Sequence, residues 1–269
     1  MHILFIGYGK TSQRVAKQLF EQGHQITTIS QSSKTDEFAT HLIQDVHQLD
    51  LAYVPAIDSV YVLLSPSQSS IEGYQQTYVD SVAPIVAALK QHPVQKIVVV
   101  SSTRVYGENK GERIDDESCI QPIDEQGRLL LKMEQLYQQA FPNQCIIIRS
   151  TGIYGTSVAR MIKLAEITKN HPQIHYSNRI HIDDLARFLA KLIHVEHPEN
   201  SYIVSNNQPT PLHETIQWFQ RQLNLPELVL ESEELSGKRI YATRMEETGF
   251  ELKHEDCFGD YKKLLAQMG

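Results

Sequence analysis

The opening stretch MHILFIGYGKTSQRVAKQL changes its apolar period across two glycines, and no other feature constrains the fold of this chain as strongly. His2–Ile6 is a short apolar run closed by Gly7, the length of a strand and too short for a core helix. Thr11–Gln22 then carries Val15, Ala16 and Leu19 at helical spacing, and Gly23 closes it. Strand, glycine turn and amphipathic helix in that order open a βαβ unit.

The same alternation continues. Gln25–Ser30, Leu42–Gln44, Ser59–Leu64, Lys96–Val100 and Cys145–Arg149 read as further strands. Between them, Lys34–His41 reads as a short helix, Gly73–Gln91 as a long one that Pro84 interrupts, and Asp124–Phe141 as another. Short apolar strands separated by helices give a parallel sheet covered on both faces, the doubly wound α/β architecture, with its site at the carboxyl ends of the strands. Past the sixth strand the pattern loosens. Helices are expected at Ala159–Thr168, Ile182–Ile193, Pro211–Leu223, Arg244–Thr248 and Phe258–Met268, and short strands at Ser201–Val204 and Val229–Glu231. We expect residues 1–153 to form a dinucleotide-binding domain and 154–269 a smaller substrate-binding region, with about 178–205 returning to the first.

Composition narrows the function classes. The net charge of −7 is spread along the chain with no basic block, which argues against nucleic acid as a partner. Cys119, Cys145 and Cys257 stand far apart, in no metal-binding or disulfide spacing, and fit a reducing compartment. No stretch reaches the length of a membrane span. The twelve histidines include no metal motif, and Pro172 breaks any helix that would pair His171 with His175. A cytoplasmic protein without metal or membrane partner is the expectation.

In GYGKTS, Gly7 permits a tight turn and Gly9 lets a pyrophosphate approach, while Lys10, Thr11 and Ser12 open a helix whose free N–H groups face phosphates. A purely structural turn is the alternative. The second strand ends in Ser30, and the loop holds Ser32, Ser33 and Lys34 where a ribose-binding carboxylate would stand about 20 residues past the glycines. Neutral and basic groups suit a 2′-phosphate better than a 2′-hydroxyl, which favours NADP over NAD. Lys34 as a solvated loop lysine is equally compatible. Asp45 either accepts from the adenine amine or caps the next turn, and Leu64 and Ser65 end the fourth strand on the cofactor side.

The motifs GYGKTS, SSTRVYG after the fifth strand, RSTGIYG after the sixth, NRIHIDDLA, YIVSNNQPTP and SGKRIYATRMEETGF together resemble the extended and atypical short-chain dehydrogenases/reductases, the group of NAD-dependent epimerases and dehydratases. The resemblance covers nearly the whole chain and implies a Rossmann-type sheet, a dinucleotide cofactor and a small-molecule substrate, as monomer or homodimer. It also implies that Ser102 positions the substrate oxygen. A tyrosine should then act as acid and base, with a lysine four residues later depressing its pKa. The helix reads DEQGRLLLKMEQLY and lacks that tyrosine. Lys132 is present, but Arg128 stands four residues before it, and an arginine holds its proton at any working pH. A register set by Glu134 places the two positions at Gln126 and Leu130.

Tyr106, Tyr154 and Arg128 are the candidates left for proton transfer or anion binding. Tyr106 and Tyr154 equally suit packed aromatics, and Arg128 a solvated one. Arg149, Arg160, Lys163, Asn178, Arg179 and His181 would suit an anionic or nucleotide-linked substrate, unless Arg149 and Arg179 pair with Asp183 or Asp184, of which Asp183 also suits a helix N-cap. Two functions follow: an NAD(P)-dependent oxidoreductase or nucleotide-sugar epimerase/dehydratase with a non-standard site, or a non-catalytic NAD(P)-binding sensor or scaffold. A protein-interaction module with vestigial glycines is a third.

Overall fold

A computed structural model describes residues Met1–Gln267. In chain order they form β1 (His2–Ile6), α1 (Lys10–Glu21), β2 (Gln25–Ser30), β3 (Thr40–Ile43) and β4 (Ser59–Val62). Next come α2 (Ile71–Tyr74), a π-helical turn over Gln75–Asp80, α3 (Val82–Leu89) and β5 (Lys96–Ser102). They are followed by β6 (Lys110–Ile114), α4 (Glu125–Ala140), β7 (Cys145–Ser150), β8 (Gly152–Tyr154) and α5 (Ala159–Ile167). The chain continues through β9 (Asn170–His171), β10 (Ile174–Ser177), β11 (Arg179–His181), α6 (Ile182–Leu192) and β12 (Ser201–Val204). It ends with β13 (Thr210–Pro211), α7 (Leu212–Gln222), β14 (Val229–Leu230), β15 (Leu235–Ile240), α8 (Thr243–Glu247) and α9 (Cys257–Ala266).

Seven strands make the central sheet, in the order β12-β7-β5-β4-β1-β2-β3. β3 to β5 pair in parallel throughout. The order runs outward from β1 and β4 in opposite directions, which opens a crevice at their carboxyl ends. β1 and β4 are buried at every position, as expected of strands covered on both faces. Phe5 and Tyr61 stack at 4.9 Å across them, and the Tyr61 hydroxyl donates to the Leu189 carbonyl at 2.8 Å. Lys96 Nζ donates to the carbonyls of Leu192, Ile193 and Val195, which terminates α6 against the start of β5.

The chain divides into two compact units. Unit 1 holds Met1–Gly107, Ile120–Arg149 and Leu185–Tyr202, and unit 2 holds Glu108–Cys119, Ser150–Asp184 and the residues from Ile203 on. Within unit 2 a four-stranded sheet runs β13-β10-β15-β6. Its core gathers Tyr154, Val158, Ile216, Phe219, Cys257 and Tyr261.

Several local expectations change. Lys34–His41 forms no helix: the Ser30 hydroxyl donates to the Ser32 carbonyl, and His41 Nε2 bonds the Asp36 carbonyl, so the loop is held by local side-chain bonds. The helix expected over 73–91 is broken by the π turn, and Pro84 falls in the first turn of α3, where its missing N–H costs nothing. β5 runs on through Ser102. Met268, the expected end of the last helix, lies outside the described residues. Asp183 does not cap α6 but lies in its first turn, and its N–H is received by His181 Nδ1 at 3.2 Å. Asp184, fully buried, accepts from the backbone N–H groups of Lys253 and His254 and so ties that segment down.

His181 links this arrangement to pH. Its ring stacks on His254 at 3.6 Å and meets the Tyr154 edge at 5.1 Å. Burial, and secondarily His254, hold its pKa below the ordinary imidazole value, against the opposing pull of Asp183, Asp260 and Asp184. The folded chain therefore takes up this proton less readily than the unfolded chain. Its stability contribution is complete above about pH 6.5 and is lost as pH falls from there toward the folded value. The thermal midpoint should drop between about pH 7.5 and about pH 5.5, and less steeply in His181→Gln. Equal slopes for the two proteins would refute the assignment.

Candidate functional site

The carboxyl ends of β1, β2 and β4 enclose a cleft of about 400 Å³ in unit 1. Gly7 forms its floor at φ +88°, where a Cβ would come within 2.2 Å of the Leu63 carbonyl oxygen, so only glycine fits. Gly9 is the N-cap of α1 and carries no side-chain cap, and a Cβ there would meet nothing within 4 Å. The free N–H groups of the first turn, with no acidic residue beside them, leave an uncompensated positive helix end. That is the cradle a pyrophosphate requires. The Ser12 hydroxyl does not take part: it is buried and donates to the Gly7 carbonyl at 2.8 Å, closing the turn in place of a third glycine. Lys10 and Thr11 begin α1 just outside the lining.

Along the cleft lie Ser30, Ser32 and Lys34 on one side and Leu64 and Ser65 on the other, and no lining residue is a carboxylate. Asp45 stands apart, in an adjoining hollow with Asp80, His47 and Gln76, and its Oδ1 accepts from the His47 N–H, capping the 3-10 turn at Val46–Gln48. Gln76 and Thr77, from the π turn, complete the cleft wall. Nothing in the sequence marks them, because a regular helix would have turned them differently.

Below the end of β5 lies a buried polar network. Ser101 Oγ donates to Glu134 Oε1 at 2.6 Å, and Arg149 reaches Glu134 Oε2 through Nη2 at 2.9 Å. Arg149 Nη1 donates to the Tyr106 hydroxyl at 3.1 Å. Glu134 and Tyr106 are each 1% exposed and Arg149 5%. Burial alone would lower the Arg149 pKa, but the Glu134 charge and the bonds to Glu134 and Tyr106 carry it above its ordinary value. Burial, with Glu134 nearby, pushes the Cys145 thiol up to about 12. Arg149 thus pairs with Glu134 and not with Asp183 or Asp184, and is spent inside the protein. Ser102, on the other side of the strand from Ser101, is half-buried, and its Oγ accepts from the Arg104 N–H at 3.2 Å.

α4 presents Leu130, Glu134 and Tyr137 inward, and Lys132 is exposed on the other side of the helix. Arg128 is also exposed and bonds Glu125 Oε2 and the Ile123 carbonyl. In the register set by Glu134, Glu134 and Leu130 are buried, and Gln126 is half-buried and donates through Nε2 to the Ser69 carbonyl at 2.9 Å.

In unit 2 the Tyr154 hydroxyl donates to Asp260 Oδ2 at 3.0 Å, and burial and that carboxylate raise its pKa far above the phenol range. Asn178 bridges the Lys238 carbonyl and the Ile240 N–H, and Arg179 donates to Thr215 Oγ1. Among the described residues His181, His254 and Asp260 lie close enough to share a metal ion. His181 Nδ1 accepts from the Asp183 N–H at 3.2 Å, and its ring lies where a Cβ on Gly155 would project, which requires glycine there.

Comparison with known proteins agrees with this geometry. The profile of the NAD dependent epimerase/dehydratase family matches residues 7–204. Protein YeeZ of Escherichia coli K12 is 24% identical over 94% of this chain and 96% of its own length. A solved Methylobacillus flagellatus structure, provisionally named an NAD-dependent epimerase/dehydratase, superposes with a TM-score of 0.86 at 29% identity, covering 99% of this chain and 98% of that one. Human SDR39U1, solved with NADPH, shares the fold with a TM-score of 0.78 at 16% identity over 98% of this chain and 99% of its own. With a glycine turn, switch-point cleft and strand-end serines all inside the matched span, the chain belongs to the NAD-dependent epimerase/dehydratase family.

Proposed function

We propose that this protein binds a nicotinamide dinucleotide in the cleft of unit 1, NADP(H) ahead of NAD(H), and acts as an oxidoreductase or epimerase/dehydratase on a small or anionic carbonyl or sugar. The observation that carries this reading is the cleft lining: a glycine-formed cradle at an uncapped helix end, with serines and Lys34 and no carboxylate at the ribose end. Structural relatives solved with NAD or NADPH support the dinucleotide. The UDP-sugar complexes of MoeE5 support a nucleotide-linked substrate. The bound dinucleotide would supply hydride exchange. Ser102 would orient the reacting oxygen, held by a strand end that Ser101 anchors to Glu134. With Tyr106 sealed by Arg149 and Arg128 and Lys132 facing outward, proton transfer falls to water or to a group brought by the substrate. Losing a positioned acid typically costs about 10²–10⁴-fold in rate, so this reading requires slow or intrinsically easy chemistry.

The second reading, a non-catalytic NAD(P)-binding sensor or scaffold, draws on the lack of a tyrosine four residues before Lys132 and on Lys132 being exposed. One experiment separates the two. The purified chain is titrated with NADPH, NADP⁺, NADH and NAD⁺ by nicotinamide fluorescence and calorimetry, then incubated with a panel of UDP-sugars and small carbonyl compounds while nicotinamide absorbance is followed. Binding with turnover supports the enzyme, binding without turnover supports the sensor, and no binding sinks both. Lys34→Glu should weaken NADPH about tenfold while leaving NADH nearly unchanged. Equal losses for both dinucleotides would remove Lys34 from the 2′-phosphate site.

A further inference from the structure

Unit 2 brings three side chains able to bind metal together from segments far apart in the chain. His181 ends β11, His254 lies in the segment before α9, and Asp260 lies in the first turn of α9. Among the described residues, one donor atom from each lies within 4.8 Å of the other two. His254 Nδ1 and Asp260 Oδ2 are already 3.0 Å apart. Ligands around a tetrahedral ion stand about 3.3 Å from one another when each bond is about 2.0 Å long. Two of the donors therefore have the spacing of ligands, and a shift of at most about 1.5 Å brings His181 to it.

The surroundings of His181 hold its ring by the faces. A Cβ on Gly155 would fall 2.2 Å from Nε2, 2.5 Å from Cδ2 and 2.9 Å from Cε1. A point on the in-plane lone-pair axis of Nε2 would be equidistant from the two carbons and farther from both, so Gly155 packs against the face of the ring and not on its edge. His254 stacks on the ring too, nearly parallel at 11° with centroids 3.6 Å apart. The imidazole is clamped between the two, and its edge stays available for bonding. At the other nitrogen, Asp183 Oδ2 lies 3.7 Å from Nδ1. A small turn of this half-exposed side chain lets Nδ1 keep its proton and donate it there, which gives Nε2 the lone pair for an ion. That carboxylate–histidine–metal order is how metal-bound imidazoles are commonly oriented. Asp260 is held at both oxygens: the Tyr154 hydroxyl donates to Oδ2 at 3.0 Å, and Lys263 Nζ lies 3.4 Å from Oδ1. Asp260 is 8% exposed and His254 25%, so an ion enters past His254 and displaces the proton between Nδ1 and Oδ2.

We propose that His181, His254 and Asp260 form a binding site for one divalent transition-metal ion, zinc or a close neighbour, that cross-links β11 to α9 within unit 2. Two imidazoles and one carboxylate suit zinc and poorly match magnesium or calcium, which take oxygen ligands. The ligands stand too far apart in sequence to read as a metal motif, so only the packed unit brings them together. The test uses the full chain, produced without a histidine tag and stripped with EDTA. Calorimetric titration with Zn²⁺ should show one ion bound per chain at about micromolar affinity or tighter. Zn²⁺ should also raise the thermal midpoint, since it binds the folded chain. Co²⁺ in its place should give the strong visible absorption of a four-coordinate ion. His254→Gln should weaken Zn²⁺ about 100-fold or more, and Asp183→Asn about tenfold. His197→Gln, at an exposed surface histidine, should leave it unchanged. Asp183→Asn separates ligation from packing: a carboxylate that only stabilised the fold would alter the metal-free melting curve and leave Zn²⁺ affinity alone.

No saturable Zn²⁺ binding up to about 100 µM overturns the site. So does Zn²⁺ binding as tight in His254→Gln as in the parent, which would mean adventitious capture by surface histidines. Displacement of Zn²⁺ by Mg²⁺ on the order of millimolar overturns the transition-metal assignment. Should His254→Gln melt well below the parent in EDTA, Asp183→Asn decides: unchanged Zn²⁺ affinity there rejects the site.

Discussion

Glu134→Ala should destabilise the protein by about 3–5 kcal/mol, the cost of leaving a buried charge without its partner. Arg149 is 5% exposed, and three of its hydrogen bonds end on Glu134, which is itself 1% exposed. Removing the carboxylate strands the guanidinium in a low-dielectric interior with only the Tyr106 hydroxyl to receive it. It also frees Ser101 Oγ, so the strand end that carries Ser102 loses its anchor to α4. The apolar pair Glu134→Leu/Arg149→Met should recover most of the loss, because burying a matched ion pair gains little over packing. Urea denaturation of the three proteins measures all of this. A Glu134→Ala variant within about 1 kcal/mol of the parent would show that the network adds little.

Gly9→Asp should separate binding from stability. Gly9 is the N-cap of α1, has extended backbone at φ −94°, and faces open space where a side chain would project. Aspartate is a strong N-cap, so thermal stability should hold or rise slightly. The same carboxylate would stand where a pyrophosphate must lie. Two like charges about 4 Å apart repel by about 4 kcal/mol at an effective dielectric near 20, enough to weaken dinucleotide binding on the order of 100-fold or more. Fluorescence titration with NADPH, paired with a melting curve, reads both effects. Retained affinity in a stable Gly9→Asp protein would remove the glycine turn from the binding site.

The parallel sheet was legible because its signals are local. An apolar run such as His2–Ile6 is too short to be a core helix, and spacings such as Val15, Ala16 and Leu19 fit nothing else. The glycine turn was equally legible, since Gly7 must hold a backbone conformation that only glycine tolerates beside Leu63. Expectations failed where a side chain's partner lies far along the chain. Arg149 could be paired with Asp183 or Asp184 on paper, but β7 lies beside β5 and under α4, so the carboxylate that meets it is Glu134. Lys132 and Glu134 are two residues apart in sequence and fall on opposite sides of the helix, which only the packing of α4 could decide.

The doubly wound sheet, the glycine turn, the family resemblance and the lack of a tyrosine four residues before Lys132 could all be read from the sequence alone. Only the packed chain shows which serine hydroxyl is sealed and which is presented, that Leu130 and Glu134 are buried while Lys132 is exposed, and that a π turn supplies Gln76 and Thr77 to the cleft. It also set Arg239 beside Arg113 and not beside Glu112. The division has one physical reason. Periodicity and backbone permissiveness act between residues a few positions apart, whereas strand order, helix rotation and a one-residue bulge are settled by what the whole chain can bury together.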